Sequence, residues 1–356
     1  MSTPMLLPAP PAPSGRRAVA LADVVADIPA ACYEQPTWRG LAAVGRDLVL
    51  FGAVTWLLVS VEHPLIVLPA WLLAMSAISS LFVLGHDAAH GALFAGPRLN
   101  YLVGQLAMLP SLHAYSVWAY GHNRIHHAFA TCEGLDFVWH PLTPAQYASL
   151  PRWAKLIHRL EWSAVGSGFY YLRAMWWGKI VRGVPPARQV GAFRRDRAIV
   201  ALYAVAASGA LVGLGWQEGG AAGAAWMWIR VFAVPWLLFN CAIGWAVYIQ
   251  HIAPDVCWQP RQRWSKFGGQ VEGSTVLLLP AWINIFWHNI FVHVPHHVDP
   301  RIPYYHLPQA ATALRTTWGA ALHERPYRLR DYVHATRHCK LYDFERGVWC
   351  GYAAAR

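Results

Sequence analysis

Leu65–Leu84 is a run of twenty residues without a single charge. About twenty apolar residues are what a helix needs to cross the roughly 30 Å hydrocarbon core of a bilayer. Three further apolar stretches share the chain with it. Leu48–Val61 is short, and extends back to Leu41 if Arg46 snorkels to the surface. Ala198–Trp216 follows much later, and Trp226–Ile249 contains one charge, Arg230. Glu62-His63-Pro64 separates the first two stretches, and Gln217-Glu218-Gly219-Gly220 breaks the third. The pattern predicts an all-α membrane protein with about four transmembrane helices in two hairpins, spanning residues 44–62, 65–84, 198–216 and 226–249.

Composition narrows this further. Of 356 residues, 56% are hydrophobic and 13% charged, yet the formal net charge is +11. Ordinary soluble domains carry about 25% charged residues, and disordered chains have few apolar ones. Six cysteines without a CxxC pair do not make a disulfide scaffold. The basic residues sit on one side of the predicted spans. Four Lys or Arg precede Leu48, where the first apolar stretch begins, twelve fall in residues 85–197, twelve in 252–356, and none in 62–64 or 217–225. Basic loops mark the cytoplasmic side, so both termini and the long 85–197 segment are expected there, as a helical cap. Leu99–Trp118 and Val276–Ile290 are apolar but interrupted by Pro110, His113 and His288, and read as interfacial helices. Residues 1–37, proline-rich at the start and without a basic stretch ahead of their apolar residues, read as a cytosolic tail rather than a signal peptide. Residues 38–356 read as one membrane domain.

The histidines carry the chemistry. There are eighteen, as many as Asp and Glu together. His86 and His90 form HxxxH directly after the second span. His122, His126 and His127 form HxxxHH, His293, His296 and His297 form HxxHH, and His251 stands where the fourth span ends. Residues three and four apart are neighbours on a helix, so His86/His90 and His122/His126 are each expected on one face. The adjacent pairs diverge around the helix and can serve two different ions. All nine fall at the same ends of the predicted spans, too many for one metal and suited to two. Imidazole binds Zn, Cu, Fe and Ni alike, so ligand type does not choose the element. Asp87, Glu133, Asp136 and Asp299 lie near the clusters and read as partners that orient the rings. His63 falls in an outer connection, on the side away from the clusters; His113, His140, His158, His306, His323, His334 and His338 read as solvated or hydrogen-bonded, and so by default does His288, although it sits only five residues before His293.

Around these residues the chain resembles the integral-membrane fatty acid desaturases, in particular the Δ12/omega-6 branch. Gly85-His86-Asp87-Ala88-Ala89-His90-Gly91 resembles the first histidine box and Gly121-His122-Asn123-Arg124-Ile125-His126-His127 the second. Phe286-Trp287-His288-Asn289-Ile290 with His293-Val294-Pro295-His296-His297 resembles the third, followed by Arg301-Ile302-Pro303-Tyr304-Tyr305-His306. Tyr248-Ile249-Gln250-His251 is similar to the family's YxQH segment. The likeness covers roughly residues 35–320. Box one has Ala88-Ala89 where the family often has Cys-Gly, and box two has the longer spacing; neither removes a histidine.

The resemblance implies a non-haem diiron centre held by the nine histidines, with O2 as co-substrate and His251 as the ligand outside the boxes. It implies a cis double bond placed in an acyl chain carried by a lipid, CoA or acyl carrier protein. Unactivated methylenes are beyond side-chain acid–base chemistry, so the cofactor carries the hard step. Ile78–Leu84, Leu102–Leu109 and Trp236–Trp245 are candidates for lining an acyl channel. No HPGG haem motif, cysteine cluster or GxGxxG fingerprint is present, so a separate ferredoxin or cytochrome b5 is expected to supply electrons. Nucleic acid is excluded, because no basic stripe is interleaved with aromatics in a soluble domain. An acyl hydroxylase, acetylenase or carotenoid ketolase shares such boxes and remains open. A metal transporter fits less well, because its ligands sit near the bilayer midplane. The Ala/Arg/Trp-rich composition, with no ER-retention ending at Ala353-Ala354-Ala355-Arg356, suits a bacterial inner membrane.

Overall fold

The computed structural model describes residues 19–355. Part of the expected tail, residues 1–18, lies outside the described residues, and its remainder is folded. Helix α1 (Leu21–Ala26) and a 3-10 turn (Ala30–Tyr33) bury Val24 and Cys32 against Val271, Val294 and Leu307. The folded part thus includes residues that precede the boundary expected near Trp38. Pro29 and Pro36 cut this segment into pieces too short to show helical periodicity.

Three helical runs among the described residues are long and apolar enough to cross a membrane: α2 (Thr37–Ser60), α3 (Pro64–Ala89) and the stretch Ala187–His251. Pro64 starts α3, where its missing N–H is of no consequence. Helices α2 and α3 pack through Val54 and Leu58 against Ala70 and Ala74, small residues that let helices approach closely. The third run comprises α6 (Val190–Trp228), a π-helical turn (Ile229–Ala233) and α7 (Val234–His251). It reverses at Gly219 and Gly220, where Gly220 takes a φ of 60°. Past the turn the two arms touch, because a Cβ on Gly215 would lie 2.4 Å from the Gly223 carbonyl oxygen. Trp228 Nε1 donates across the arms to Ser208 Oγ at 2.9 Å. The break expected over residues 217–225 therefore contracts to two glycines.

Arg230, the one charge in the fourth apolar stretch, is fully buried. It donates to Glu62 Oε1 at 2.5 Å and to the Val59 carbonyl at 3.2 Å, while Trp71 Nε1 donates to its own carbonyl. The pair ties the turn between α2 and α3 to the arm after Gly220. At this end Trp56, Trp216 and Trp226 are exposed, and Trp38 is exposed at the other end of α2. Tryptophans so placed suit the two interfaces of a bilayer.

The fold is mostly helical but not all-α. The parallel pair β1 (Thr275–Leu278) and β2 (His323–Pro326) aligns Thr275 with His323, and β3 (Leu341–Asp343) pairs antiparallel with β4 (Val348–Cys350). Val276–Ile290, expected as an interfacial helix, opens as strand β1 because its backbone finds the His323–Pro326 edge. Only its end, Asn284–Trp287, is α-helical. Leu99–Trp118 becomes α4 (Pro97–Met108), a buried loop and α5 (Tyr115–Gly121). The loop carbonyls of Ser111 and Leu112 accept from Trp236 and Trp176, which lets irregular backbone sit inside the protein.

Candidate metal centre

Four elements deliver the nine histidines. His86 and its neighbour one turn on, His90, close α3; His251 closes α7; His293, His296 and His297 lie on α8 (His293–Val298). Box two differs from expectation. His122–His126 is a π-helical turn in which the His127 N–H donates to the His122 carbonyl, five residues back. In an α-helix residues five apart point about 140° away from each other. The wider turn instead brings His122 and His127 together, Nε2 to Nε2 at 3.0 Å, and sends His126 elsewhere. The expected pairing of His122 with His126 on one face is thus replaced by His122 with His127. π-turns are rare and concentrate at functional sites.

The imidazoles form two groups, in each of which one nitrogen per ring lies within 4.8 Å of all the others. His86, His90, His122, His127 and His296 form one; His126, His251, His293 and His297 form the other. Boxes two and three each divide between the groups. In the first, His122 Nε2 is 3.2 Å from His86 Nε2. In the second, His293 Nε2 is 3.1 Å from both His251 Nε2 and His297 Nε2.

These distances fit metal ions. Two nitrogens bound at about 2.0–2.1 Å to one ion stand roughly 2.9 Å apart at a right angle and about 3.4 Å apart at the tetrahedral angle. Among the described residues, His90 Nε2 and both ring nitrogens of His296 are buried without a hydrogen-bond partner. Leaving a buried polar atom unpaired costs about 1–3 kcal/mol, which a bound ion would offset.

Behind the rings, acceptors hold the opposite nitrogens. Asp87 Oδ1 faces His86 Nδ1 at 3.2 Å, and Asp136 faces His126 Nδ1 at 3.1 Å. Gln270 Oε1 faces His297 Nδ1 at 2.9 Å, and the Gly273 carbonyl faces His251 Nδ1 at 3.0 Å. An acceptor at Nδ1 fixes the proton there and presents Nε2 as a ligand. Asp87 and Asp136 thus lie behind the rings, where the sequence reading places them. Glu133 touches no ring of either group, and Asp299 pairs with Arg301 and Tyr33. Gln270 has no motif to announce it.

Burial first, and neighbouring imidazoles second, hold His90, His122, His127, His293, His296 and His297 well below the ordinary 6.5. They are neutral at pH 7, as metal binding requires. Unfolded, the same rings take up protons as pH falls through 6.5, whereas the fold resists protonation, so acid favours unfolding. The thermal midpoint of the metal-free protein is therefore expected to be flat above about pH 7.5 and to fall steadily from about pH 6.5 to 5. Melts in detergent check this, and a midpoint independent of pH contradicts it.

The sequence profile described as fatty acid desaturase matches residues 62–329, three quarters of the chain and every one of the nine histidines. The chain belongs to the fatty acid desaturase family. It is 28% identical over 337 residues to the chloroplastic omega-6 fatty acid desaturase of Glycine max, covering 93% of this chain and 76% of that one. It is 28% identical over 341 residues to the sn-1 oleoyl-lipid 12-desaturase of Anabaena variabilis, covering 92% and 91%. The corresponding protein of Picosynechococcus is 27% identical over 332 residues, covering 91% and 90%.

In this desaturase a narrow apolar cavity reaches both histidine groups. Phe82, Val83, Trp118, Tyr171, Met175, Ile243, Val247 and Ile290 line it beside His86, His122, His126, His251 and His293. Phe82, Val83 and Ile243 belong to the stretches expected to line a channel; Leu102–Leu109 contributes nothing to it. Trp118 stacks on His122 with ring centres 4.2 Å apart. A larger cavity, about 260 Å³, lies beyond α7 and touches none of the nine. HxxxH spacing alone does not make a site: His334 and His338 share it and stack at 4.1 Å, yet they are exposed and belong to neither group.

Proposed function

We propose that the desaturase holds two iron ions, one in the five-histidine group and one in the four-histidine group, and places a cis double bond at the Δ12 (omega-6) position of a lipid-linked acyl chain. The observation that carries this is the division of nine imidazoles into two adjoining groups at the head of an apolar cavity. Bound there, iron would supply the O2 and hydrogen-abstraction chemistry that side chains lack. Overall, two hydrogens leave adjacent carbons, and O2 takes these with two electrons and two protons to give two waters.

The protein's own part is to hold and exclude. Phe82, Ile243 and Val247 keep water from the acyl chain, and a fixed approach to the metals decides which bond reacts. The Δ12 position and the lipid carrier are drawn from the names of the relatives. Electrons come from a separate ferredoxin or cytochrome b5. We place four crossings in two hairpins, α2–α3 and α6–α7, in a bacterial inner membrane with the histidines cytoplasmic, because the basic residues gather on that side.

Expression in a host whose lipids are mainly monounsaturated, followed by fatty-acid methyl ester analysis, tests the reading. Dienes unsaturated at carbon 12 are expected. A hydroxylated or acetylenic product, or none in the presence of donor, overturns it. Feeding acyl-lipid, acyl-CoA or acyl carrier protein substrates in vitro distinguishes the carriers. His323→Ala should keep full activity, because His323 pairs with Asp255 at 3.0 Å outside both groups.

A further inference from the structure

His288 precedes box three by five residues and belongs to neither histidine group. It is buried, and its Nε2 lies 2.6 Å from Asp47 Oδ2 and 3.0 Å from Ser80 Oγ. Ser80 Oγ itself donates to Asp47 Oδ2 at 2.6 Å. Asp47 and Ser80 are fully buried, Asp47 on α2 and Ser80 on α3. Arg46, half exposed, donates to Asp47 Oδ1 and to the Ile285 carbonyl, both at 2.7 Å. Three elements far apart in sequence are therefore knotted at one imidazole.

The backbone there is unusual. His288 and Asn289 have φ of 43° and 55°, a left-handed conformation that non-glycine residues adopt uncommonly, though His and Asn do so more readily than most. Such residues persist where their surroundings over-determine them. Asn289 Nδ2 donates to the Tyr304 carbonyl, and the Tyr304 N–H donates to Asp87 Oδ2 at 2.7 Å. Asp87 in turn faces His86. The turn that begins at His288 leads within five residues into α8, whose His296 alone of box three joins the five-histidine group.

We propose that His288 is a positioning residue: locked by Asp47 and Ser80, it sets the turn that carries His296 into the five-histidine group and keeps Asp87 behind His86. It binds no metal itself, since Asp47 and Ser80 occupy its Nε2. This rests on the two-ion reading of the nine histidines.

Cobalt(II) titration of the purified full-length protein, followed by visible absorption and metal count, separates the two. Wild type should take up two Co2+. Asp47→Asn and His288→Leu should each weaken the five-histidine site by about tenfold or more, and the four-histidine site, whose His293 and His297 ride on the same helix, by less. His288→Asn, which tolerates the left-handed backbone and keeps a polar group toward Asp47, should recover part of the loss. Because the residues act as one unit, Asp47→Asn with His288→Leu should be no worse than either alone. Two unweakened sites in the single variants, strictly additive losses, or equal weakening of both sites with a collapsed thermal midpoint even in His288→Asn would each overturn the proposal. Fewer than two ions in wild type would instead overturn the two-ion reading, and this proposal with it.

Discussion

Replacing His293 by alanine should reduce diene formation to the level of a host without the enzyme. Its Nε2 stands 3.1 Å from the Nε2 atoms of both His251 and His297, so it is the middle member of the four-histidine group. Alanine removes that nitrogen and leaves only His126, His251 and His297 in the group, one ligand short. The four-histidine group should lose its ion while the five-histidine group keeps its own, and metal content should fall by about half. Methyl ester analysis and a metal count on the same preparation check both. His251→Ala should behave alike, since His251 closes the same group from α7; retained turnover in either variant contradicts the ligand set.

Asp136→Ala should be nearly as damaging without touching a ligand. The Asp136 carboxylate accepts from the amides of Thr131 and Val138, each at 3.0 Å, and faces His126 Nδ1. Alanine leaves two buried amides and a ring nitrogen unpartnered, at about 1–3 kcal/mol each, and frees the His126 ring to rotate. Loss of such a partner typically lowers metal affinity 10–100-fold, and activity at limiting iron should fall within that range. Asp136→Asn, with one acceptor oxygen kept, should fall between. Glu133→Ala should change neither activity nor metal binding, because Glu133 meets no ring of either group. Activity assays across an iron titration distinguish the three.

The apolar runs and the spacing of the histidines are local patterns, so the helices and all nine converging imidazoles could be read from the chain. Which imidazole joins which group could not. HxxxHH gives no sign that residues 122–126 adopt a π-turn, because tertiary contacts at that helix end, such as Asn123 Nδ2 donating to the Ala89 carbonyl, are not written in the spacing. Gln270 reaches His297 across 27 residues, a contact that exists only once the cap has folded. Asp47 is different. It is an acid beside the first apolar run, and ionisable residues in such segments mark paired, consequential positions. That signal stands in the sequence beside Arg46. Strand β1 is not legible in the sequence, because a short apolar run is equally compatible with strand and helix, and its partner lies 48 residues further along the chain.

The proposed centre consists of two metal sites of unequal make-up, five imidazoles and four. The most direct test is elemental analysis of the purified, full-length desaturase, expressed with ample iron and assayed for diene formation in the same preparation. Two irons per chain, with activity rising in proportion to iron content, are predicted. One ion per chain, or zinc in place of iron in protein that is fully active, would contradict it.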